Sequence, residues 1–161
     1  MKQIPLTKGT FAIVDDEDFD FLNQYKWKLS TKGYAERTVY LGSPETNKPK
    51  YGAEKMHRVI LKVPKGVFTD HINGNRLDNR KENLRKCNNQ ENCRNTIKKR
   101  AAYSKYKGVT YCKRDKVWTA QVRINGKHVF RKSFKNEMDA VRAYDDACKI
   151  HFGDFARPNI K

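Results

Sequence analysis

Asp70-His71-Ile72-Asn73-Gly74-Asn75, followed by Asn83-Leu84-Arg85 and then Asn92, sets an acid beside an imidazole with asparagines at fixed distances. Asp70 can supply a hard anionic oxygen and Asn92 a carbonyl oxygen. Such donors suit one divalent cation, Mg²⁺ or Mn²⁺, that keeps most of its waters for a substrate phosphate. His71 can serve as a base, because an imidazole of ordinary pKa, about 6.5, is largely neutral near pH 7 and able to take a proton from water. Asn73-Gly74 favours a tight turn with positive φ, and asparagines in a polar hairpin can also serve turns alone. The chemistry therefore needs a hairpin to carry Asp70 and His71, and a further element to bring up Asn92.

The run from residue 56 to 96 resembles the core of the HNH endonucleases, in the phage and intron homing branch where asparagine replaces the last histidine. The resemblance implies a ββα-metal hairpin: Asp70 and His71 leave the first strand, Asn83 stands just before the second, and Asn92 lies on the helix. It further implies that His71 is the general base, that Asp70 and Asn92 hold one divalent cation, and that Asn83 braces the His71 loop.

Composition points to the substrate class. The chain has 161 residues, 37% of them hydrophobic and 33% charged, so several small modules are expected rather than one large core. Lys and Arg number 35 against 18 Asp and Glu, a net charge of +17, and a surface so positive attracts polyanions. A basic membrane-binding protein is the rival, but there is neither an apolar run of about 18 residues nor a secretory h-region. The expected location is the cytoplasm, that of the host cell if the gene belongs to a phage. Cys87, Cys93, Cys112 and Cys148 form no Cys-x-x-Cys pair. They are expected to be free and mostly buried thiols, as a reducing compartment allows.

Residues 4–14 read as a turn followed by a short apolar strand, and Asp15 to Asp18 as a helix start, with Phe19, Leu22 and Tyr25 on one face. Trp27, Leu29 and the run from Tyr34 to Leu41 look like strands. This opening resembles the small module that precedes the nuclease core in phage HNH proteins, and a structural cap is its expected role. Gly42 to Gly52 has the composition of a surface loop. His57-Arg58 follows. His57 can contact a phosphate or serve as a hydrogen-bonded structural residue, and no catalytic role is assigned to it.

Residues 81–116 hold 12 Lys/Arg and 3 Asp/Glu, a net +9, which suits a linker that tracks a phosphate backbone. Beyond it, Trp118, Ala120, Val122 and Ile124 alternate with Thr119, Gln121 and Arg123, the pattern of a half-buried strand. Asn125-Gly126 predicts a two-residue hairpin turn, Asn136 a helix cap, and Ala140, Tyr144, Ala147 and His151 the inner stripe of that helix. Glu137, Asp139, Asp145 and Asp146 on the remaining positions would repel a phosphate backbone, so the sheet is expected to meet DNA. Tyr106-Lys107-Gly108-Val109, Trp118 to Arg123, Phe130, Phe134, Ala140 to Asp145 and Gly153 to Ala156 resemble the AP2 DNA-binding domain. That resemblance implies a three-stranded antiparallel sheet in the major groove backed by one helix. By position it implies a DNA-facing set of Lys107, Thr110, Cys112, Gln121, Arg123, His128 and Phe130. Arginine is commoner in that family at 110, 112 and 128, and tryptophan at 130, so no base preference carries over. Arg131, at a usually apolar place, is expected to bury its stem and keep its charge at the edge.

The expected class is α+β, in four segments: an N-terminal cap (1–52), a ββα-metal nuclease core (53–97), a basic linker (98–105) and an AP2-like domain (106–161). The expected function is metal-dependent hydrolysis of DNA phosphodiesters, nicking one strand as a monomer on double-stranded DNA, with no small-molecule cofactor. The alternative is a non-catalytic, sequence-specific DNA-binding regulator. RNA binding is disfavoured, because Arg and Gln on a sheet suit the DNA major groove while RNA platforms display stacked aromatics.

Overall fold

Apolar residues scattered over the first 84 positions can be buried only by folding together. Ile4, Leu6, Ala12, Val14, Leu22, Trp27 and Ala35 do so with Met56, Ile60 and Leu84 in a single cluster. A computed structural model of the chain describes residues 1–42, 48–96 and 103–160. It divides into two units, Met1–Asn89 and Gln90–Lys161. Part of the surface loop expected around 42–52 and most of the basic linker, including Lys98, Lys99 and Arg100, fall outside the described residues.

In the first unit, β1 (Lys2–Pro5) and β2 (Phe11–Val14) pair antiparallel, so the expected turn before the apolar strand is itself partly strand. Helix α1 (Asp16–Leu22) starts on Asp16, Glu17 and Asp18, whose charges favour a helix N-terminus. Leu22 is buried and Phe19 packs on the cluster, but Tyr25 lies beyond the helix and is exposed. Trp27 is buried, with its indole N–H donating to the Leu22 carbonyl at 2.8 Å. Strands β3 (Lys28–Leu29), β4 (Ala35–Tyr40) and β5 (Tyr51–Lys55) form an antiparallel sheet in that order. Helix α2 (Met56–Leu61) ends on Lys62 in the left-handed region. Arg58 then donates to the carbonyls of Val67 and Pro64, both at 2.7 Å. These bonds tie down the connection leading into β6 (Phe68–His71), which pairs antiparallel with β7 (Leu84–Cys87). The cap and nuclease segments thus share one core across residue 52.

Helix α3 (Asn89–Arg94) follows β7 directly, completing a β–β–α order along the chain. In the second unit, β8 (Val109–Cys112), β9 (Val117–Ile124) and β10 (Lys127–Phe134) form an antiparallel sheet in the order β10-β9-β8. Its inner face packs on α4 (Glu137–Phe152) through Val109, Ala120, Val122, Ala140, Val141, Tyr144, Ala147 and Cys148. Asn125 and Gly126 both have positive φ, 52° and 78°, as the expected two-residue turn requires. The Asn136 side chain accepts the Met138 N–H at 2.7 Å and caps α4. Two features of α4 differ from expectation. His151 is exposed, the inner stripe turning instead through Val141 and Cys148. Asp145 is buried, accepting the backbone N–H groups of Asn159 (2.7 Å) and Ile160 (2.9 Å), so it anchors the C-terminal segment. None of the four cysteines forms a disulfide; Cys87 and Cys148 are buried, Cys112 is half-buried and Cys93 is exposed. Among the described residues no helix is long and apolar enough to cross a membrane.

Candidate active site

Asp70 and His71 are the last two residues of β6, and alternation along a strand sends them to opposite faces. Both are buried, at 6% and 5% exposure, so each ionisable side chain needs a partner. Asp70 stands opposite Arg85 in the ladder, and Arg85 donates to its Oδ2 from Nε at 3.0 Å and Nη2 at 2.7 Å. His71 Nε2 lies 3.3 Å from Asn79 Oδ1. The Asn79 amide is fully buried and donates from Nδ2 to the Leu77 carbonyl at 3.2 Å, which points its oxygen at the imidazole. Neutral His71 therefore carries its proton on Nε2 and keeps its lone pair on Nδ1.

The loop between the strands is closed by side chains. Asn83 accepts the Asn73 N–H at 2.9 Å and donates to the Asp78 carbonyl at 2.7 Å, while its own carbonyl accepts the Ile72 N–H at 2.9 Å. It closes the residue 71 loop to the foot of β7, standing as expected at the last position of a 3₁₀ turn (Lys81–Asn83) before that strand. Asn73 and Asn75 each accept a backbone N–H two residues on, at 2.7 and 3.1 Å, the usual local use of asparagine in turns. Asp78 is buried and bound by Arg80 through Nε and Nη2, both at 2.8 Å, which holds its carboxyl below the usual range.

Three supports were not legible in the motif. The Asn79 N–H donates to the Ile13 carbonyl at 2.7 Å and the Ile13 N–H to the Leu77 carbonyl at 2.8 Å, so β2 holds the residue that orients His71. Asp15, ahead of α1, accepts the Lys81 N–H at 2.7 Å. Residues 13 and 79 are joined only by the fold, and no local pattern announces the contact. The third support is aromatic: His57 meets His71 edge to face at 4.9 Å between centroids, and Tyr34 lies 5.2 Å from His57 and 5.9 Å from His71.

Burial sets the electrostatics of both imidazoles. It pushes the His71 pKa below its ordinary value, against the opposing pull of Asn79, Asp70 and Asp78. His57 is pushed down to about 3, first by burial and then by repulsion from His71, Lys55 and Arg58. Its Nδ1 is buried without a hydrogen-bond partner among the described residues. Between pH 3 and about 6.5 the unfolded chain protonates His57 while the folded chain does not, so stability is complete above that window and falls as pH drops through it. The full window is worth at most about 5 kcal/mol, at ~1.4 kcal/mol per pKa unit. His57→Phe, which keeps a ring beside His71, is expected to move the acid-unfolding midpoint to lower pH in circular dichroism. Identical midpoints for the two proteins would show that His57 does not set the acid limit.

In the second unit the ladder assigns faces. Thr110 pairs with Thr119 and Cys112 with Val117, so both lie on the outer face with Gln121 and Arg123. His128 pairs with Arg123, and its Nε2 accepts from Arg123 Nε at 3.1 Å. Two residues of the expected DNA-facing set differ. A register shift between His128 and Phe130 inserts one residue, so Phe130 turns inward onto the core while Arg131 pairs with Gln121 on the outer face and is exposed. The expected buried stem of Arg131 is thereby corrected. Lys107 is half-buried and its Nζ donates to the carbonyls of Arg94 and Thr96, so it closes backbone acceptors rather than the sheet surface.

Comparison with known proteins places this geometry. The chain is 30% identical over 158 residues to a protein named Uncharacterized HNH endonuclease L560 from Acanthamoeba polyphaga mimivirus, a match covering 94% of this chain and 76% of that relative. The chain belongs to the HNH endonuclease family. A family model described as HNH endonuclease matches residues 54–94 of this HNH protein, a segment that contains Asp70, His71, Asn83 and Asn92. It is also similar to Protein 3.8 of Escherichia phage T7, 35% identical over 96 residues that cover 59% of this chain and 78% of the relative.

Proposed function

We propose that this HNH endonuclease is a divalent-metal-dependent, nicking DNA endonuclease of the homing type. In this reading His71 is its general base, Asp70 and Asn92 are its cation ligands, and an AP2-like C-terminal sheet reads the major groove. The observation that carries the reading is the His71 imidazole, buried at the end of β6 and held at Nε2 by Asn79 inside the segment shared with the family. The donor set fits Mg²⁺ or Mn²⁺: a carboxylate and an amide carbonyl are hard oxygens. Arg85 donates to Oδ2 of the Asp70 carboxylate, as supporting residues fix metal-bound carboxylates. A divalent cation bound there supplies positive charge against the charge that builds on the phosphate oxygens.

His71 Nδ1 takes a proton from a water whose oxygen attacks phosphorus. The bond to the 3′ oxygen breaks, and that oxygen takes a proton from solvent. Asn79 keeps the imidazole in the tautomer that can accept, and the edge-on His57 ring limits its rotation. One such site per chain cuts one strand, so a monomer nicks. Thr110, Cys112, Gln121, Arg123 and His128, joined by Arg131, are the sheet residues for major-groove contact.

The test incubates the full chain with duplex DNA from the region flanking its gene, with and without Mg²⁺, and maps ends on each strand. A Mg²⁺-dependent nick, lost in Asp70→Ala together with Mg²⁺ binding by calorimetry in the presence of DNA, is the expected result. Tight, sequence-specific binding with no cut in Mg²⁺ or Mn²⁺ would instead establish a non-catalytic DNA-binding regulator.

A further inference from the structure

Tyr34 meets more than the two imidazoles. Lys55 Nζ and the Arg76 guanidinium carbon each stand over its ring, both 4.7 Å from the centroid. Arg76 is steered there by its Nη1, which donates to the Lys32 carbonyl at 2.5 Å, at a turn that Gly33 makes with φ of 78°. Lys55 arrives from the end of β5. Two cations thus share one aromatic ring, and that ring touches His71.

Their charge is not neutralised. Among the described residues neither Lys55 nor Arg76 makes an ion pair with a carboxylate. Glu36, a carboxylate that bears on Lys55, is paired with Lys28 at 3.7 Å. Burial and repulsion from Lys32, Arg58 and Arg76 hold the Lys55 pKa below its ordinary value. A half-buried ammonium crowded by other cations is unfavourable without an anion. Arg58 differs, because its guanidinium is consumed by the carbonyls of Val67 and Pro64. Lys55 and Arg76 keep donors for an outside partner, and the quadrupole of the one Tyr34 ring attracts each of them despite their repulsion.

We propose that Lys55 and Arg76, stacked on Tyr34, form a clamp that binds a backbone phosphate of the DNA strand presented to His71. The inference rests on the nuclease reading for the strand it names, but the clamp is a binding site in its own right. A phosphodiester is the anion that fits: it is singly charged, exposes two non-bridging oxygens to two donors, and recurs along the polyanion that a +17 chain attracts. Lys55 and Arg76 act as positioning residues, setting the strand against the base without sharing the proton transfer.

The experiment measures affinity of the full-length protein for target and scrambled duplexes by anisotropy over a salt series, in EDTA so that no strand is cut. Every phosphate that the protein ceases to neutralise flattens the slope of log K against log salt by about 0.9. Lys55→Gln/Arg76→Gln is expected to flatten the slope by about 0.9, the value for one shared phosphate, and by the same amount on both duplexes. Lys55→Arg/Arg76→Lys restores it. In Mg²⁺ the double variant is expected to raise the DNA concentration for half-maximal cleavage about tenfold or more while the saturated rate stays within a few-fold, because a positioning group acts on binding rather than on the chemical step. Arg76 is exposed, so Arg76→Gln alone, expected to lower affinity for both duplexes equally, tests the clamp should the double variant fold poorly. Wild-type slope and affinity in these variants would overturn the clamp, as would weakening confined to the target duplex, which marks a base contact. Absence of any cleavage by the wild-type chain would sink the nuclease reading instead, leaving the salt series to decide the clamp.

Discussion

His71→Ala is expected to slow strand cleavage by about 10²–10⁴-fold, the usual contribution of a positioned general base, with DNA affinity nearly unchanged. Three features make this imidazole the one suited to the step. Asn79 fixes the proton on Nε2, Asp70 adjoins it in sequence as a candidate metal ligand, and its burial favours the neutral, basic form. His57 is pushed so far down that it stays neutral too, but its packing against His71 and Tyr34 suits support rather than proton transfer. Because burial lowers the His71 pKa, the acid limb of the rate profile should lie below the ordinary histidine value, so cleavage persists at pH values where a solvent-exposed imidazole would already be charged. Single-turnover cleavage at saturating protein separates this effect from binding. A wild-type rate in His71→Ala would reject the assignment outright.

Gly108→Ala should destabilise the second unit by about 2–5 kcal/mol, the sum of a backbone penalty and an overpacking penalty. Gly108 has φ of 73°, and a Cβ there would lie 2.0 Å from Cε2 and 2.1 Å from Cδ2 of Tyr144. The left-handed conformation costs an L-residue about 1–2 kcal/mol, and forcing an atom into a packed interior adds roughly 1–3. Tyr144 cannot readily yield, being only 3% exposed within the α4 core, while the Gly108 carbonyl is already committed to the Gln121 N–H at 2.9 Å. Urea unfolding followed by tryptophan fluorescence measures the destabilisation. Adding Tyr144→Ala to Gly108→Ala should cost less than the two single changes summed, because the clash disappears with the ring. A Gly108→Ala protein within about 0.5 kcal/mol of the wild type, the range of an ordinary surface substitution, would show that the ring and backbone separate freely.

The candidate site is most legible where its proposed parts are close in sequence. Asp70-His71 at a strand end, Asn83 before the next strand and Asn92 on the following helix are spacings within one β–β–α run, and local hydrogen bonds of asparagine close the loop between them. Likewise the alternation of Trp118 to Ile124, the Asn125-Gly126 turn and the Asn136 cap depend on a few neighbouring residues each, and they stand as the residue types require.

What residue types could not decide was anything hinging on parity or distant pairing. One residue inserted between His128 and Phe130 turns Phe130 into the core and Arg131 out beside Gln121, since strand faces alternate with a period of two and a single slip inverts them. Lys107 is drawn to the carbonyls of Arg94 and Thr96, and Asp145 to the backbone of Asn159 and Ile160, because buried polar groups must find partners wherever the chain brings them. Sequence alone determined that an imidazole follows an acid at the end of a strand, and that a polar hairpin carries them both. Only the tertiary structure decided that β2 of the N-terminal segment holds Asn79 against His71, and that Lys55 and Arg76 meet over Tyr34. Such contacts join residues tens of positions apart, and they form only when the shared core of the first unit closes.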